Sequence, residues 1–182
     1  MQNKKYELVL EDTIEFFGRK LFRIRAKISF GIVEKGELGG YIESENNLSH
    51  FGDAWVYGNA RVYGDAKVCG NAKVCDDAWV CDDAWVSGNA MVSGDARVYG
   101  DARVCGDAEI KSSKDYIVFK NTWSSFRYFT YTKSNKMWKV GCFYGTGQEL
   151  IKKAYADSEN SGKHYEAYVN LVTELEKIES GD

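Results

Sequence analysis

The sequence has no proline and only two histidines, His50 and His164, among its 182 residues. Without proline the chain must turn through glycine and short polar side chains, and 18 glycines are present to do so. Two histidines cannot supply a three-histidine catalytic zinc site, which excludes a zinc hydratase of that type. No stretch approaches the roughly 20 apolar residues of a membrane-spanning helix. Residues 1–10 alternate charged and apolar side chains and lack the continuous apolar core of an export signal. The expectation is a cytoplasmic chain with no membrane partner. Its five cysteines, an odd number, then read as free thiols in a reducing compartment.

A basic cluster is also missing. Residues 1–51 carry eight charges of each sign, residues 52–111 carry ten acidic against six basic, and residues 112–182 carry ten basic against nine acidic. Long nucleic acid is therefore not an expected partner, because neutralising a phosphate backbone takes clustered Lys and Arg. No Ser/His/Asp set, phosphate-cradling loop or Cys-x-x-Cys pair is present.

What is present is a repeat. From Gly52 to Lys111 the chain reads as ten consecutive hexads of the form Gly/Asp, Asp/Asn, Ala, x, Val, x, with Ile110 replacing the last Val. On an extended strand the Ala and Val, two apart, face one way and the x residues face the other. A period of six fits no helix, and each hexad carries residues that helices disfavour. One hexad buries too little to offset its ordering entropy, so stability has to come from stacking coil on coil. The pattern predicts a solenoid of short strands with Gly-Asp/Asn corners.

These hexads resemble those of the left-handed parallel β-helix, or hexapeptide-repeat, superfamily. There, three hexads close a triangular coil of about 18 residues. Gly39-Gly40-Tyr41-Ile42-Glu43, Asn47-Leu48-Ser49 and Gly52-Asp53-Ala54-Trp55-Val56 look like the opening segment of YdcK-like proteins, a group often described as transferases and frequent in phage and prophage genomes. The resemblance implies a mainly β fold: an N-terminal β-hairpin cap over residues 1–38, a left-handed β-helix over 39–111, and a C-terminal α+β module over 112–182. It also implies a homotrimer, since such prisms usually associate side by side. Characterised acyltransferases of the superfamily generally use a histidine base at a subunit boundary and loops that interrupt the coils. The uninterrupted hexads and the two histidines here do not support that chemistry.

With three hexads per coil, outward residues 18 apart share a face. One face carries Trp55, Lys73, Met91 and Glu109, a second Arg61, Trp79 and Arg97, and a third Lys67, Trp85 and Arg103. Two faces thus set a Trp between cations. These ladders either satisfy themselves as cation–π stacks or present a platform for a planar anion or a protein. Cys69, Cys75 and Cys81, spaced by six, fall on three different faces and cannot share a metal. The corner carboxylates Asp65, Asp83 and Asp101, and Asn59, Asp77 and Asp95, read as turn-bonding groups rather than a cation site. His50, 18 residues before Val68, is expected inside the first coil as part of its cap, and His164 at the exposed start of the last helix.

The hairpin is read from Tyr6–Leu10, Thr13–Phe17 and Leu21–Ala26 about a Gly18-Arg19-Lys20 turn. Past Lys111 the composition shifts to aromatics. Strands are predicted over Asp115–Phe119, Phe126–Thr132 and Met137–Phe143, followed by a helix opened by the Thr146–Glu149 capping box and an amphipathic helix from Lys163. This βββαα order resembles a module found after β-helices in phage proteins. The functional expectation is a non-enzymatic trimeric binding protein that needs no cofactor or metal. It would hold a small anionic, nucleotide-like signalling ligand between subunits through Arg61, Trp79, Arg97, Lys67, Trp85 and Arg103. The alternatives are an acyltransferase-like enzyme with an atypical site, and a structural or protein-interaction module.

Overall fold

A computed structural model describes residues 4–181, so Met1–Asn3 of the expected cap and Asp182 lie outside the described residues. The N-terminal hairpin comprises β1 (Tyr6–Phe16) and β2 (Arg19–Ala26), and β3 (Leu38–Ile42) pairs antiparallel with β2. The reversal is Phe17-Gly18, with φ of 48° and 73°, one step earlier than the sequence suggests. Arg19 and Lys20 already pair with Phe16 and Glu15 across the hairpin, leaving two residues for a turn that needs positive φ at both.

Each hexad then contributes one two-residue strand, β4 (Trp55–Val56) through β13 (Glu109–Ile110). They stack in three parallel columns: β3-β5-β8-β11, β4-β7-β10-β13 and β6-β9-β12. The register aligns Arg61, Trp79 and Arg97, as well as Lys67, Trp85 and Arg103, at the 18-residue spacing. The result is a parallel β-solenoid of about four turns. Its interior is the repeat itself: from Ala54 to Ile110 every inward Ala, Val and Ile is at most 1% exposed.

The first coil departs from this spacing. Tyr41 pairs with Arg61 and Leu48 with Val68, in both cases 20 residues apart. The two extra residues belong to a stretch containing a short 3₁₀ turn (Glu45–Asn47), so Leu48 and not His50 occupies the Val68 column. His50 instead stacks on Tyr6, ring centroids 4.3 Å apart. Asn47 is fully buried and donates to the Gly64 and Ala66 carbonyls, tying the larger coil to the next.

The corners show which positions demand glycine. A Cβ on Gly88 would come within 2.7 Å of the Gly106 backbone nitrogen, and one on Gly52 would meet the Gly70 carbonyl, so the column Gly52, Gly70, Gly88, Gly106 cannot carry side chains. At Gly58 the nearest atom is 3.9 Å away. Aspartates at the corresponding positions of the other two columns, Asp76 and Asp82, adopt φ of 61° and 58°. Their carboxylates accept hydrogen bonds from the Gly94 and Gly100 amides one coil on, at 2.9 and 3.1 Å, which offsets the left-handed backbone.

Both ends of the solenoid expose backbone groups that a further coil would have satisfied. At the N-terminal end the cap supplies donors. Lys5, buried, reaches the Ala54 carbonyl at 2.8 Å and the Gly52 carbonyl at 3.2 Å, and the Tyr6 hydroxyl donates to the Leu48 carbonyl at 2.7 Å. The same cap covers Trp55, an outward residue that is nevertheless fully buried, edge-on to Phe30 and Tyr6.

The C-terminal module is a four-stranded antiparallel sheet, β14 (Tyr116–Lys120), β15 (Tyr128–Thr132), β16 (Met137–Val140) and β17 (Phe143–Thr146), with α1 (Gly147–Asp157) and α2 (Glu159–Ser180). The fourth strand corrects the three-strand expectation. Gly141, at φ 54°, lets Gly141-Cys142 reverse the chain in two residues, and Val140 pairs with Phe143. The polar break expected between the helices shrinks to Ser158, whose extended backbone ends α1 and whose side chain accepts from Ser161 to start α2. Among the described residues no helix is long and apolar enough to cross a membrane.

Two outcomes are expected. Asp76→Ala retains the left-handed backbone and loses the bond to Gly94, costing about 1–2 kcal/mol in chemical denaturation, whereas Asp76→Gly stays within about 0.5 kcal/mol of wild type. Equal losses in both would contradict this. Burial pushes the Lys5 ammonium from 10.5 down to about 8. The unfolded chain therefore binds the extra proton between about pH 8 and 10.5, and stability from this group rises with pH across that window. The stability of wild type relative to Lys5→Met should climb over the same range, and a flat difference would refute the assignment.

Candidate ligand-binding cleft

Within the solenoid each outward residue donates its N–H to the Ala carbonyl of the next coil, as Lys67 does to Ala84 at 2.9 Å and Trp85 to Ala102 at 2.8 Å. Arg103 has no further coil above it. Its N–H donates instead to the Thr130 hydroxyl of β15 at 2.9 Å, and that of Glu109 to the Ser134 hydroxyl at 2.8 Å. The Tyr144 hydroxyl of β17 donates to the Cys105 carbonyl at 3.3 Å and sits against Gly106, where any Cβ would collide with it. The C-terminal sheet is thus fastened to the last coil by hydroxyls that substitute for a missing strand.

Fastening the sheet there leaves a cleft of about 690 Å³ between the third solenoid face and the sheet. From the solenoid it is lined by Trp85, Ser87, Asp101, Arg103 and Cys105, and from the module by Phe126, Arg127, Tyr128, Lys139, Gly141 and Cys142. Three cations thus face one carboxylate. The volume lies within the range of small-molecule sites.

The aromatic wall is held in place. The Trp85 indole N–H donates to the Cys69 sulfur at 2.9 Å, and the Arg103 guanidinium lies 5.3 Å from the Trp85 ring centroid. Trp85 remains 42% exposed and Phe126 65% exposed, so both offer ring surface to a ligand. Phe126 holds its place with φ of 56°, a conformation unusual for an aromatic residue. Burial pushes the Cys105 thiol above its ordinary value, with the nearby Lys139 charge acting weakly in the other direction.

Of the six residues expected to bind ligand, the structure places Trp85 and Arg103 in this cleft. Lys67 of the same face lies nearer the N-terminal end, beside His50 and Asp65. The second face is partly occupied by the hairpin. Phe16 inserts between rungs, with the Arg61 guanidinium 4.6 Å from its ring and its edge 4.8 Å from Trp79, leaving Arg97 over Trp79 at 4.3 Å. That face is a cation–π stack already satisfied within the chain.

Arg127, Lys139, Phe126 and Tyr128 were not among the residues singled out from the sequence. The turn to aromatics after Lys111 was their one signal, and it did not reveal which solenoid face the module meets. Neither histidine lines the cleft: His164 stacks on Trp123 at 4.4 Å, far along the chain from His50 at the opposite end. Among the described residues no group of three or more His, Cys, Asp or Glu is placed to hold a metal ion.

Residues 54–70 and 84–100 match the family model of the YdcK β-solenoid repeat. The match covers the repeat and neither flanking segment. No curated protein matches the chain.

Cys142 is exposed at the β16–β17 turn, while burial raises the thiols of Cys75, Cys81 and Cys105. N-ethylmaleimide near neutral pH should therefore modify Cys142 first and Cys105 markedly more slowly, followed by peptide mass spectrometry. Equal rates at Cys105 and Cys142 would contradict the depth assigned to the cleft.

Proposed function

We propose, for a chain that belongs to the parallel β-helix superfamily, that it binds a small planar anion in the cleft between its third solenoid face and its C-terminal sheet, without turning it over. The observation that carries this reading is the convergence of Arg103, Arg127 and Lys139 on a wall built from Trp85, Phe126 and Tyr128. Guanidinium groups bind phosphate or carboxylate through charge-assisted, often paired hydrogen bonds. Aromatic rings accept a nucleobase-like plane by stacking. Together they favour a nucleotide-like ligand over either an inorganic anion or an apolar molecule.

The cleft is complete within one chain, so binding there does not depend on the homotrimer that the superfamily resemblance implies. Trimer formation remains a separate part of the reading, as does a role in sequestering a signalling molecule. A transferase would need a general base, and the groups at hand are Asp101 and thiols whose proton-holding is favoured by burial, with no imidazole lining the cleft.

Isothermal calorimetry against a panel of nucleoside phosphates tests the reading. At least one member should bind, and Arg103→Ala and Arg127→Ala should each weaken it about 10- to 100-fold, the loss expected for a hydrogen bond to a charged group. Arg61→Ala, whose side chain faces Phe16, should leave it unchanged. A loss on Arg61→Ala without one on Arg127→Ala would move the site to the second face, and no binding across the panel would overturn the proposal.

A further inference from the structure

The cleft does not end at Tyr128. Tyr128 and Asp101 also line an adjoining cavity of about 480 Å³ whose other walls include Tyr99, Ser113 and Tyr116. The two cavities differ in charge. Arg103, Arg127 and Lys139 all line the first, whereas Asp101 is the one charged side chain lining the second.

The second cavity exists because the last coil is left uncovered at one corner. Tyr63, Cys81 and Tyr99 share a column, 18 residues apart. Tyr63 is packed under the hairpin at 9% exposure, but Tyr99, beyond the hairpin's reach, is 53% exposed. Tyr116, opposite it, is fixed by donating its hydroxyl to the Arg97 carbonyl at 2.9 Å. Tyr99 and Tyr128 thus stand exposed along one continuous groove with Trp85 and Phe126, and the shared Tyr128 joins its two halves.

We infer that this groove is a two-subsite binding site whose ligand carries two planar rings joined through a phosphate, the chemistry of a dinucleotide. This rests on the anion-binding reading of the first cavity. The cationic subsite holds one ring with its phosphate. Asp101 repels phosphate from the second subsite and accepts hydrogen bonds from sugar hydroxyls or ring amines, so the second ring enters uncharged and packs against Tyr99. A mononucleotide fills half of the groove.

Calorimetry with AMP and with the linear dinucleotide pApA separates this inference from the reading beneath it. Wild type should bind pApA about tenfold more tightly than AMP, the gain expected from one additional stacked base. Tyr99→Ala should bring the ratio of the two affinities close to one, and Tyr99→Phe, which retains the ring, should preserve it. If AMP binds but pApA binds no more tightly, or if the ratio survives Tyr99→Ala, the second subsite is overturned while the anion cleft stands. If neither nucleotide binds, the cleft reading for adenine nucleotides falls and this inference falls with it.

Discussion

Everything in this molecule depends on the stacking of one coil on the next at an interval of 18 residues. Two backbone bonds per hexad, such as Trp79 N–H to the Ala96 carbonyl and Cys81 N–H to the Val98 carbonyl, hold a strand that is only two residues long. The column of Ala and Val behind it excludes water completely. Neither contribution suffices alone. A two-residue strand has no cooperativity of its own, and an Ala-Val pair buries too little apolar surface to order six residues. The interval therefore has to be kept without error, and the fully glycine column from Gly52 to Gly106 marks where the backbone passes too close for any deviation.

A stack of this kind ends badly unless something terminates it, and the two terminations use opposite chemistry. At the first coil the uncovered groups include carbonyls, answered by the Lys5 ammonium and the Tyr6 hydroxyl. At the last coil N–H groups lack acceptors, answered by Thr130 and Ser134, while Asp115 accepts from the Lys111 amide. Burying Lys5 costs it part of its affinity for a proton, a cost accepted because an unsatisfied buried carbonyl would be worse.

These terminations decide which outward residues meet solvent. Trp55, Trp79 and Trp85 occupy equivalent positions in the hexad, yet they are respectively buried, half-buried and exposed. The difference arises from what lies over them: Phe30 and Tyr6 over Trp55, Phe16 and Phe17 beside Trp79, and an open cleft at Trp85. The cleft is a by-product of capping. Tying β15 to β12 through Thr130 brings Arg127 and Lys139 to a solenoid face that already bears Arg103.

The sequence by itself determined the solenoid: its period, its interior, the partners of each outward residue, and the hairpin and helices that flank it. That much was legible because a repeat turns one local rule, Ala and Val inward with glycine at the bend, into a global register. It missed the two-residue insertion that moves His50 out of the Val68 column, since an irregular turn leaves no periodic trace, and it missed β17, where a two-residue glycine turn looked like the end of the sheet. Only the tertiary structure decided which faces are covered and where the cleft lies. Contacts such as Arg61 with Phe16, or Thr130 with Arg103, join segments whose meeting is fixed by three-dimensional packing and by unsatisfied backbone groups, and no spacing along the chain encodes them.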